Sequence, residues 1–167
     1  MAERTWHVAQ VNVATLAEPL VSPRLADFVA WLGPVNALAD AAPGFVWRLQ
    51  TEDGDATAIR AFEDDRIIVN LSVWDSIEAL GGFVYRSRHA EVLRRRREWF
   101  ETMRSSHLAM WWIPAGTTPS VAEAARRLKL LEARGPSPDA FTFGVPFAAP
   151  DAPTPAEADD GWLCPAP

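Results

Sequence analysis

The chain has 167 residues, 49% apolar and 23% charged, with 16 basic against 22 acidic side chains and a formal net charge of −6. That is one domain's length, enough to bury a core without disulfide or metal, and the acid excess offers no general field to phosphate backbones or anionic lipid, so neither nucleic acid nor a membrane is an expected partner. A single cysteine, Cys164, excludes an intrachain disulfide and a thiolate zinc site; no apolar run nears the ~20 residues of a membrane span, and the N-terminus lacks a signal core, so a cytoplasmic location is expected.

Trp6–Ala14 alternates and predicts a first strand. Ser22-Pro23 reads as a helix N-cap with proline at the first helical position, followed by Leu25, Phe28, Val29, Leu32, Val35 and Ala39 at helical spacing. Gly33-Pro34 falls inside that helix and should kink or split it. Pro43-Gly44 ends it, and Phe45–Gln50 predicts a second strand. Asp53-Gly54 is a hairpin signal, with Ala56–Phe62 expected to pair back. Arg66–Trp74, rich in β-branched residues, is the clearest strand. Helices are predicted over Ser76–Phe83 and Ser87–Met103, a strand over His107–Ile113, and a helix from Thr118-Pro119 to Arg134. Ala140–Gly144 reads as an edge strand. Residues 146–167 carry six of the fourteen prolines and read as an arm or flexible tail, leaving residues 1–145 as the folded domain.

The order β-α-β-β-α-β predicts an α+β fold: a ferredoxin-like antiparallel sheet with helices on one face. Alternation assigns the faces. His7, Ala9, Val11 and Val13 share one with Ile67, Val69, Leu71 and Val73. The other carries Gln10, Asn12, Asn70, Ser72 and Trp74. The aliphatic set suits packing under helices. The mixed set suits either solvent or a cavity with an apolar body and a few polar anchors. Tryptophans at 47, 74, 111 and 112 favour a covered face, closed by a second subunit, the C-terminal arm or a ligand.

On the arginine-rich helix, His89, Val92, Leu93, Arg96, Trp99, Phe100 and Met103 form a stripe. The other charges form pairs four residues apart, Glu91–Arg95, Arg94–Glu98 and Arg97–Glu101, as on a solvated face. Arg96 in the stripe needs an internal partner or an anion. His89 reads as a packed histidine, a proton-transfer group or an axial ligand for iron. The three histidines are not at metal-ligand spacing, so no metal site is expected. There is no phosphate loop or nucleophile elbow, and nothing marks Ser72 as a nucleophile. Cys164 reads as incidental, and Trp162-Leu163 as a segment that tucks into a groove.

The strings QVNVA, NALADAAPGFVWRLQ, IIVNLSVWDSIEALGGFVYRSRH, RRREWFE, MWWIPAG and GPSPDAFTF, spanning His7 to Pro150, closely resemble the bacterial family called domain of unknown function 3291. That resemblance implies a homodimeric α+β barrel in which two ferredoxin-like sheets meet face to face. Val73-Trp74-Asp75-Ser76 with Ala79-Leu80, Phe83 and His89 also resembles the wider antibiotic-biosynthesis monooxygenase superfamily. Its haem-degrading members use an Asn, a Trp and a His that match Asn12, Trp74 and His89, although about five extra residues separate Trp from His here.

By that resemblance the expected function is cofactor-free oxygenation or proton transfer on a hydrophobic, aromatic or polyketide-like molecule. His89 would move the proton, Trp74 would stack on the ring, and Asn12 and Asn70 would bind oxygen. Gln10, Ser72, His107 and Trp111 would line the site, and Arg48 or Arg96 would hold developing charge. The alternatives are haem on His89, a cyclase or isomerase, a ligand-binding dimer without catalysis, and an interaction protein whose tryptophans are packing alone.

Overall fold

The computed structural model describes residues 5–57, 59–60 and 62–152. It contains four strands, β1 (Trp6–Thr15), β2 (Phe45–Arg48), β3 (Ile67–Trp74) and β4 (Leu108–Pro114), and four helices, α1 (Ala26–Asp40), α2 (Ile77–Arg86), α3 (His89–Trp99) and α4 (Val121–Arg134). The fold is mixed α/β. All four strands are antiparallel to their neighbours, in the order β2-β3-β1-β4. Each of the connections β1-α1-β2 and β3-α2-α3-β4 therefore skips one strand, and both carry their helices to the same side of the sheet.

Local sequence explains the boundaries. Ser22 caps a 3-10 turn, Pro23–Leu25, that leads into α1, and α1 runs through Pro34 as one helix instead of splitting. Gly44, at φ 80°, turns the chain into β2. Ser76 and Ser120 each accept a backbone N–H, from Ala79 and Glu123, at the starts of α2 and α4. The helix expected to reach Met103 stops at Trp99. There the extended backbone of Phe100 bridges Leu16, and Glu101 N–H donates to the Thr15 carbonyl at 2.9 Å, so this stretch serves the end of β1.

The expected strand over Ala56–Phe62 does not form among the described residues. Asp55 accepts bonds from Thr57 N–H and Oγ1 at 2.8 and 2.6 Å, a local turn that bends the chain out of strand geometry. The Ala140–Gly144 edge strand is reduced to isolated bridges, of which Phe141 with Met110 joins the segment to β4.

The alternation of faces holds, but the helices lie elsewhere than expected. The aliphatic face (Ala9, Val11, Val13, Val69, Leu71, Val73) packs against Ala124, Leu128 and Leu131 of α4, with Leu49, Ile59 and Phe62 from the β2–β3 loop. The mixed face lies beneath α1, α2 and α3: Val8, Trp74 and Met110 meet Ala39 and Leu80, and Ile68 meets Phe28, Trp99 and Val92. Helices therefore cover both faces of the sheet. The reason is chain direction: crossover handedness decides which side α1–α3 take, and α4 then closes the other.

The predicted α3 ion pairs are replaced by others. Arg95 meets Glu98 at 2.8 Å and Asp27 at 2.7 Å, while Glu101 meets Arg66 at 2.9 Å. Residues 146–151 lie against the domain: Trp112 Nε1–H donates to the Phe147 carbonyl at 2.8 Å, and Thr5 Oγ1 donates to Asp151. Trp162, Leu163 and Cys164 lie outside the described residues. No helix among the described residues is long and apolar enough to cross a membrane.

Candidate small-molecule cavity

Between the mixed face and α1–α3 lies a cavity of about 570 Å³. That volume is within the range of drug-sized ligand sites. One chain forms it, so the enclosure expected from a second protomer comes instead from the protein's own helices.

Strand register arranges the mixed face beneath the cavity in three rows. Phe45, Trp74, Val8 and Trp112 form the inner row. Arg48, Ser72, Gln10 and Met110 form the middle row, and Asn70, Asn12 and Leu108 the outer. Burial falls along the same axis: Trp74 is 1% exposed, Gln10 5% and Ser72 7%, Asn12 is half-buried and Asn70 exposed. The cavity is thus closed and aromatic at one end and open and polar at the other. Phe28, Leu32 and Val35 of α1 and Val92 and Phe100 of the α3 side supply the apolar walls.

Within the buried rows a hydrogen-bond chain runs from Trp74 Nε1–H to Ser72 Oγ at 3.0 Å, and from Ser72 Oγ–H to Gln10 Oε1 at 3.0 Å. Phe83 stacks on Trp74, centroids 5.2 Å apart and planes 26° apart, and meets the His89 ring at 5.1 Å. Phe45 abuts the indole edge-on at 5.4 Å. Trp74 is therefore not a platform for a ligand ring: Phe83 takes that face. The indole instead anchors the polar chain beneath it.

His89 stands at the start of α3, where Ser87 Oγ accepts its backbone N–H at 3.1 Å. Its Nδ1 faces the Val84 carbonyl at a long 3.4 Å, which favours the Nδ1–H tautomer and leaves the lone pair on Nε2. Burial holds its pKa below the ordinary value and the Val84 bond only partly offsets this, so the ring is neutral at pH 7.

The other expected site residues divide. Arg96 and His107 are exposed at the rim, and Arg96 Nη1 donates to its own helix at Leu93. Arg48 lines the cavity but is engaged: Nε and Nη2 grip Asp40 at 2.7 and 3.2 Å, and Nη1 donates to the Gly54 carbonyl at 2.7 Å. It braces α1 against the following loop, with three of its five N–H donors engaged and its charge paired with Asp40. Trp111 is outside the site altogether. It pairs with Ala9 on the aliphatic face, fully buried, with the Arg127 guanidinium 5.7 Å from its ring. Among the described residues no cluster of His, Cys, Asp and Glu is arranged to hold a metal.

Sequence reasoning missed Phe83 as the lid on Trp74 and α1 as a cavity wall. The helical stripe from Leu25 to Ala39 was the available signal for α1. Nothing local to Phe83 marks which aromatic it meets.

Fold and cavity together define a mixed α/β protein with a four-stranded antiparallel sheet and a chamber sized for a small molecule. The chain belongs to the family domain of unknown function 3291, whose profile matches residues 7–157. No curated protein matches it in sequence. Among solved structures it is similar to the NE2512 protein of unknown function from Nitrosomonas europaea, at 13% identity and a TM-score of 0.42, covering 71% of this chain and 99% of that one. It is also similar to PA3566 from Pseudomonas aeruginosa, at 12% identity and a TM-score of 0.46, covering 70% of this chain and all of that one.

Proposed function

We propose that the protein is an enzyme acting on a flat, largely apolar carbonyl compound, aromatic or polyketide-like, held between Asn12, Asn70 and helices α1–α3. The observation that carries this reading is His89, a neutral imidazole on the cavity wall whose Nε2 has no protein partner among the described residues. Nε2 takes a proton from the carbon beside the carbonyl, the electron pair moves onto oxygen, and side-chain amide N–H groups of Asn12 and Asn70 stabilise the enolate. The strand order and the two helical crossovers support a ferredoxin-like reading. The resemblance to the monooxygenase superfamily extends the chemistry to dioxygen, with the enolate as reductant and no cofactor required for electron balance. Haem fits these residues poorly, because Phe83 covers the Trp74 face that the matching triad would turn to a tetrapyrrole. The chamber needs no second copy, so the reading is independent of the homodimer that the resemblance implies.

Anthrone separates the steps. Under nitrogen, deuterium exchange at its methylene carbon reports proton removal. In air, anthrone plus one O₂ gives anthraquinone plus water, read as oxygen uptake. Wild-type protein is expected to accelerate exchange, and His89→Ala to lower it roughly 100-fold or more, the usual worth of a positioned base. Exchange without oxygen uptake assigns an isomerase or cyclase. Acceleration of neither, with anthrone bound, refutes the enzyme reading and leaves ligand binding.

A further inference from the structure

Indole nitrogen can only donate, so the direction of the buried chain is fixed from its inner end. Trp74 Nε1–H occupies a lone pair of Ser72 Oγ, and the Ser72 hydroxyl proton goes to Gln10 Oε1, each step 3.0 Å. The Gln10 amide oxygen is held by that bond, which orients the amide so that its NH₂ group is the end left over. Gln10 is 5% exposed and lines the cavity, and its amide nitrogen makes no hydrogen bond among the described residues. A flipped amide would set its NH₂ against a hydroxyl whose proton has no other acceptor. That costs about the desolvation penalty of a buried unmet pair, and the flip is disfavoured accordingly.

We infer that Gln10 is a specificity-determining residue, a fixed hydrogen-bond donor in the buried middle row of the mixed face that selects a ligand whose innermost polar atom is an acceptor oxygen. Ser72 and Trp74 are its positioning residues. The inference rests on the small-molecule reading of the cavity and narrows its substrate class: a ketone or quinone oxygen other than the one Asn12 and Asn70 hold as an enolate goes in first, and a molecule leading with N–H or an apolar edge is rejected.

Three rigid tricycles of nearly one shape test it: 9-fluorenone presents an acceptor, carbazole a donor, and fluorene neither. Binding is measured by tryptophan fluorescence, and placement by the His89 ring resonances. Wild-type protein is expected to bind fluorenone about tenfold tighter than either analogue, the worth of one net hydrogen bond. In Ser72→Ala the amide is released, can offer its oxygen, and the fluorenone-to-carbazole ratio falls to within about threefold; Ser72→Thr, which keeps the hydroxyl, restores it. Gln10→Met, which keeps the side-chain length without the donor, removes the preference and covers the case in which Ser72→Ala does not fold. Equal binding of all three tricycles, each moving the His89 resonances, overturns the inference and leaves the cavity intact. An unchanged ratio in folded Ser72→Ala also overturns the positioning role. If none of the three moves His89, the cavity reading falls and the inference with it.

Discussion

Replacing Phe83 by alanine removes the ring that lies between Trp74 and His89. The side chain is half-buried, so its lost transfer free energy is about half that of a full burial, roughly 1–1.5 kcal/mol. Its ring contacts, with Trp74 at 5.2 Å and His89 at 5.1 Å, add roughly 0.5–1 kcal/mol each at the lower end of the range for aromatic pairs. The sum is about 2–3.5 kcal/mol, large beside a typical domain stability of about 5–15 kcal/mol. A second effect separates this from generic core damage. Burial is the main cause of the lowered His89 pKa, and the missing ring admits water to the imidazole, so its titration midpoint moves up toward the ordinary value. Urea unfolding gives the first quantity and the His89 ring resonances against pH give the second. Phe83→Leu should keep most of the stability and much of the shielding. A loss in Phe83→Ala below about 0.5 kcal/mol with an unmoved His89 midpoint would refute the stacking described above.

Stability should also depend on pH through His89. Its folded pKa is depressed below the unfolded value, so the unfolded chain binds the proton first as pH falls. The His89 contribution is complete above the unfolded pKa of about 6.5 and declines as pH drops from there to the folded midpoint; the pH slope of urea stability should therefore flatten in His89→Gln across that window. Gly44 and Gly54 make a matched pair, at φ 80° and 85°. A Cβ at Gly44 would lie 2.5 Å from Ala79 Cβ and from Asp75 Oδ1, whereas at Gly54 nothing lies within 4 Å. Gly54→Ala should cost only the left-handed penalty, about 1–2 kcal/mol, and Gly44→Ala that plus a clash, about 3 kcal/mol or more in all; equal thermal-melt losses would sink the close approach of β2 to α2.

Strand positions and face membership were legible because period-two alternation is a local signal: Ile67, Val69, Leu71 and Val73 do share a face, as do Asn70, Ser72 and Trp74. Which face the helices cover was not. An aliphatic face invites that assignment, yet both faces are buried here, and the direction of the β1-α1-β2 and β3-α2-α3-β4 crossovers decides the matter. Trp111 went to the wrong side for a related reason. Met110 and Trp112 face the cavity rows and Trp111 the opposite core, a parity fixed only by pairing Trp111 with Ala9. Gln10, Ser72 and Trp74 were each identifiable as mixed-face residues. That they form one directed chain depends on Gln10 facing Ser72 in register, a long-range fact with no local signature.

The bridge between Phe141 and Met110 bears on the exposed edges of the sheet. Two bonds of 2.8 Å join their backbones, and Trp112 fastens the following segment at Phe147, so the outer rim of β4 is already occupied where a foreign strand would add. The opposite rim is β2, only four residues long and bulged at Val46, a poor template for extension. Blunted borders of this kind deter fibril-like stacking of one sheet on another.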